Sequence, residues 1–76
     1  MIRRNQKTID AEAIVKLFGG KHQIVADYEK ILRVVISVKA VEKWLERSAI
    51  SITNLLSLQT IAERKEIDFK LEDYIK

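Results

Sequence analysis

The chain holds only two glycines, standing side by side at Gly19-Gly20, and no proline at all. Glycine enters left-handed backbone without steric penalty and proline ends helices, so nearly all the local punctuation of this sequence falls at one point. Before that point Ala13, Ile14, Leu17 and Phe18 recur at helical spacing, and Thr8 or Asp10 offers a side-chain oxygen to the first free backbone N–H groups. The spacing predicts a helix over about residues 9–18 that closes on Gly19, with Gly20 letting the chain turn sharply into the next element.

From Lys21 to Lys76 there is neither glycine nor proline, so boundaries rest on periodicity and on serine caps. Ile24, Val25, Tyr28, Ile31, Leu32 and Val35 fit one helical stripe, which predicts a second helix from Lys21 to about Arg33. The β-branched cluster Val34-Val35-Ile36 leaves a short strand over residues 31–38 as the alternative. Ser37 is a good N-cap, and after it Val38, Ala40, Val41, Trp44 and Leu45 resume the stripe, giving a third helix over about 38–47. Ser51 caps a fourth helix whose apolar face is Ile52, Leu55, Leu56, Leu58, Ile61 and Ala62, ending near Lys65 in a basic last turn that suits the helix dipole. The tail alternates with period two from Ile67 to Leu71, and Leu71, Tyr74 and Ile75 then fit one helical turn, as expected of an extended arm or a dimer contact. The expected fold is therefore all-α, a bundle of four to five short helices over residues 9–76 behind a flexible basic arm over residues 1–8.

Several function classes lack their chemistry here. No cysteine is present and His22 is the one histidine, which excludes a disulfide framework, a thiolate metal site and a cysteine nucleophile. Gly19-Gly20 has neither the G-x-G-x-x-G nor the Walker spacing, so it reads as a helix break and not as a nucleotide loop. The expectation is a non-enzyme with no cofactor, metal or small-molecule substrate. Arg3, Arg4 and Lys7 are followed by no apolar signal-peptide core, and the longest apolar run, Ile31 to Val38, contains Arg33 and falls far short of the roughly 20 residues of a membrane helix. A cytoplasmic protein without membrane contact is expected. At 76 residues a helical domain buries only about 60% of its unfolded surface, which favours self-association.

One order of residues narrows the function. Leu17-Phe18-Gly19-Gly20 closes the first helix, Lys21-His22-Gln23-Ile24-Val25-Ala26 opens the second, and Ile36-Ser37-Val38-Lys39-Ala40-Val41-Glu42-Lys43-Trp44 follows. This resembles the small Cro-type helix-turn-helix repressors of phages and prophages over about residues 9–75, with the motif at about 21–47 and the C-terminal helix and tail at 51–76. Ser48-Ala49-Ile50-Ser51 stands where that family often has a Gly-x-Ile-Pro connection, and Leu55-Leu56 matches its apolar face. The chain departs from the family between the two motif helices, where Val34-Val35 and about five extra residues replace a tight turn with Leu-Gly.

The resemblance implies a sequence-specific binder of double-stranded DNA, acting as a homodimeric transcription repressor whose two recognition helices reach major grooves about 34 Å apart. Carried onto this chain, Ser37, Lys39 and Lys43 meet base edges or phosphates, Arg47 extends the stripe, and Glu42 accepts from a cytosine amine or pairs with Lys39 and Lys43. Lys21, His22 and Gln23 start the second helix, where free N–H groups favour a phosphate, and Arg3 and Arg4 of the arm enter a minor groove or lie along the backbone. By charge alone the Lys/Glu face of the third helix equally describes a solvated surface, and Trp44 belongs to the core with Val41 and Leu45. The competing expectation is a small helical protein-interaction module. Acids neutralising the third helix, with apolar residues of 31–38 left exposed, would favour it; Lys39, Lys43 and Arg47 projecting from one convex face together with Lys21 and the N-terminal arm would favour DNA.

Overall fold

A computed structural model describes residues 9–75. Asp10 opens α1 (Ala11–Leu17), its Oδ1 accepting the Ala13 N–H at 3.2 Å. Past the helix Gly19 and Gly20 both hold positive φ, at 101° and 103°. The Gly20 N–H reaches back to the Val15 carbonyl at 2.9 Å and the Gly19 N–H to Lys16 at 3.0 Å, the Schellman pattern that satisfies carbonyls the helix itself leaves free. A Cβ on Gly19 would meet Gln23 Cγ at 3.1 Å, a tight contact added to a backbone angle that by itself favours glycine.

The second helix, α2 (Lys21–Asp27), continues as a π turn over Tyr28–Leu32 and stops at Arg33 in the left-handed region. The N–H groups of Arg33 and Val34 both end on the Tyr28 carbonyl, the latter at 3.0 Å. The helical span is close to that predicted, and no strand forms over 31–38, where residues 33–37 make an irregular link. Val35 does not join the stripe with Ile31 and Leu32: it lies beyond the helix end, 81% exposed. The wider π turn and the left-handed Arg33 break the periodicity that places Val35 with the core.

Ser37 caps α3 (Val38–Arg47) by accepting the Ala40 N–H at 3.1 Å, and Ser51 caps α4 (Ile52–Lys65) by accepting the Asn54 N–H at 3.2 Å. Both helices end on non-glycine residues in left-handed backbone, Ser48 at φ 50° and Glu66 at φ 58°. On α4 the core takes Leu55, Leu58, Ile61 and Ala62, whereas Ile52 and Leu56, expected on the same apolar face, are exposed. The reason is the partner: the π turn packs against one side of α4, and an apolar set this wide exceeds the arc that one neighbour covers.

The tail runs extended to a 3-10 turn (Leu71–Tyr74) and folds back on α1. Phe69 is buried edge-on against Phe18, ring centroids 5.3 Å apart; the Asp10 N–H donates to the Tyr74 carbonyl at 2.8 Å, and Ile9 and Ile75 form an isolated antiparallel bridge. The tail is thus an extended arm, as one reading expected, with Phe69 buried on its own chain and Ile75 left 41% exposed.

The fold is all-α, with α2 against α3, the π turn against α4, and α1 touching α2, α3 and the tail. Ile14, Phe18, Ile24, Tyr28, Val41, Leu58 and Ile61 make the centre of one apolar cluster. Asp27 is buried within this frame at 4% exposure, its two oxygens accepting from Gln23 Nε2 at 3.0 Å and Lys65 Nζ at 2.7 Å, so that a single carboxylate ties the end of α2 to the end of α4. Among the described residues no helix is long and apolar enough to cross a membrane.

Candidate nucleic-acid interface

The core decides which side of α3 faces outward. Val41 and Trp44 are buried, the Trp44 ring lying 6.3 Å from that of Tyr28, and this turns Lys39, Glu42, Lys43, Glu46 and Arg47 to solvent. Trp44 is a core residue, as its place on the stripe requires. Lys39, Lys43 and Arg47 stand at intervals of four, so their side chains leave the helix along one gently winding exposed line.

Glu42 does not pair with its own helix neighbours. Lys21, at the start of α2, donates from Nζ to Glu42 Oε2 at 2.7 Å. That hydrogen bond and the lysine's charge hold the Glu42 carboxyl below its usual range, with smaller contributions from Lys39 and His22. Among the described residues the ion pairs are Lys21–Glu42 and Lys65–Asp27, so none of Lys39, Lys43 and Arg47 takes part in one. Glu42 is drawn to α2, while Lys39, Lys43 and Arg47 face water together with Glu46.

Two shallow depressions flank the line. Lys39, Glu42, Lys43 and Glu46 surround one, and Lys43 and Arg47 rim the other above Ala40, Trp44, Ile50 and Asn54. The second has a rigid wall. Tyr28 Oη donates to Asn54 Oδ1 at 2.8 Å, and Asn54 Nδ2 donates to the capping Ser51 Oγ at 3.0 Å, which locks the first turn of α4 to the π turn. Burial pushes the Tyr28 phenol up to about 12, so the donor keeps its proton well past neutral pH.

The other expected contacts fare unevenly. Ser37 is exposed, but its oxygen serves the α3 cap. His22 and Gln23 are exposed at the start of α2, where Gln23 is committed to Asp27. Lys21 reaches α3 as the partner of Glu42, which makes it a brace between helices instead of a further open cation. Arg3 and Arg4 lie outside the described residues. Sequence reasoning missed Asn54 and the Asp27–Lys65 pair; the available signal was an acid at position 27, between the core residues Ile24 and Tyr28.

Compared with protein-family models, curated proteins and solved structures, the chain matches none of them.

Proposed function

We propose that the exposed line of α3 binds double-stranded DNA, with Lys39 and Lys43 at base edges or phosphates and Arg47 on the backbone, and that the protein acts as a sequence-specific transcription regulator of repressor type. The observation that carries this reading is the uneven pairing on α3: Glu42 is bonded across to Lys21, while Lys39, Lys43 and Arg47 join no ion pair among the described residues. Three cations on one helix face attract phosphates and release the counterions that surround a duplex. The Ser37 cap fixes the N-terminal end of α3, the end that meets base edges when such a helix enters the major groove.

The second reading, a protein-interaction module, draws on Val34 and Val35, which are exposed in the link before α3. The two readings part on a double substitution. Lys39→Ala with Lys43→Ala is expected to weaken binding to a selected duplex by at least ~2 kcal/mol, about thirtyfold, with helical content and melting temperature unchanged because both side chains are in solvent. Fluorescence anisotropy and circular dichroism measure the two halves. Equal affinity in the double variant would remove α3 as the reader.

A further inference from the structure

We propose that the depression between α3 and the start of α4 binds a small organic anion with a flat apolar body, of the aromatic carboxylate class. Its volume is about 470 Å³, within the range that small-molecule sites occupy. The floor is apolar, since half-buried Ala40 and the core residues Trp44 and Ile50 all border it. One wall is held fast by the hydrogen bonds that join Tyr28, Asn54 and Ser51.

The polar groups at the rim select the occupant. No carboxylate borders this depression, whereas Glu42 and Glu46 border the neighbouring one. Ser51 Oγ accepts from both the Asn54 N–H and Asn54 Nδ2, which leaves its own proton to give. Lys43 and Arg47 are exposed, join no ion pair among the described residues, and stand four apart on α3, where like charges oppose each other. The rim thus offers donors and positive charge, and a carboxylate takes both, with the guanidinium able to grip its two oxygens at once. A bare inorganic anion would meet the rim and leave the apolar floor uncovered; a neutral aromatic would cover the floor and leave the cations unpaired. One molecule that carries both parts satisfies both. The site stands apart from the DNA reading, although Lys43 and Arg47 serve in each, so that the anion and a duplex would compete for them.

An NMR titration of the full chain without DNA tests this, because Trp44 is the single tryptophan and gives one indole N–H resonance. The probe 2-naphthoate is expected to move that resonance saturably, with a dissociation constant on the order of 1 mM for a ligand of its size. Its neutral analogue 2-naphthalenemethanol and inorganic phosphate are each expected to bind at least about tenfold more weakly. Lys43→Gln with Arg47→Gln weakens naphthoate binding by at least about tenfold with unchanged helical signal. Lys16→Gln with Lys30→Gln removes the same charge from exposed positions on α1 and the π turn and leaves the affinity as it is. No saturable shift up to about 10 mM naphthoate, equal binding of the alcohol or of phosphate, or equal affinity in the two double variants overturns the proposal. With DNA absent throughout, a chain that binds no duplex still tests the site, and an empty site leaves the DNA reading where it was.

Discussion

Glu66 holds left-handed backbone at φ 58° where α4 ends, with its N–H on the Glu63 carbonyl at 3.4 Å and the Ile67 N–H on Ala62 at 2.8 Å. The hydrogen-bond pattern is the one glycine makes at the end of α1, yet the residue carries a Cβ that this conformation crowds by ~1–2 kcal/mol. Glu66→Gly relieves the crowding and loses part of that gain to the freer unfolded chain, leaving an expected stabilisation of about 0.5–1 kcal/mol in urea denaturation. An unchanged or lower midpoint would show that the Glu66 side chain stabilises the native state by some other means. Ser48 and Arg33 share the same backbone region. These three positions explain why the helix ends after Gly20 had to be read from periodicity alone: nothing in the identity of an arginine, serine or glutamate announces a positive φ, whereas Gly19 announced it plainly. The serines were legible for the opposite reason, since a short hydroxyl before an apolar-periodic run has one favourable use, and both Ser37 and Ser51 take it.

The elements were legible in kind and misjudged in phase. Periodicity located α3 and α4 to within a residue or so, because each keeps a regular 3.6-residue stripe over its length. It misplaced Val35, because the π turn widens the helix before it ends, and it admitted Ile52 and Leu56 to the core, because a stripe read from sequence does not say how wide an arc the neighbour covers. On α3 the pattern gave the exposed face but not the Lys21 partner of Glu42, since a contact between Lys21 and α3 depends on how two helices cross. The tail shows the same division. Its alternation was visible, but only the packing of Phe69 on Phe18 reveals that it closes over α1. Phe69→Ala removes a buried ring and is expected to lower stability by ~3–5 kcal/mol, most of what a chain of this size holds, seen as a loss of cooperative thermal unfolding. A variant with a wild-type melting temperature would mean that the tail only rests on the domain.

At the scale of the whole molecule, one small bundle carries two exposed surfaces on different helices, a cationic line on α3 and an apolar side with Ile52 and Leu56 on α4. The part-buried pairs Asp27–Lys65 and Tyr28–Asn54 hold α2, the π turn and α4 together behind them. With a net charge of only +3, the proposed DNA binding rests on where the cations stand more than on their number. Selection of binding sites from random duplex DNA, followed by anisotropy titration of the selected duplex between about 50 and 200 mM salt, separates a DNA reader from a protein-interaction module. The account predicts an enriched sequence and an affinity that falls by at least about tenfold across that range, as expected when several cations displace counterions from phosphates. No enriched sequence, or binding that does not respond to salt, would contradict it and turn the exposed apolar residues of the link and α4 into the more informative surface.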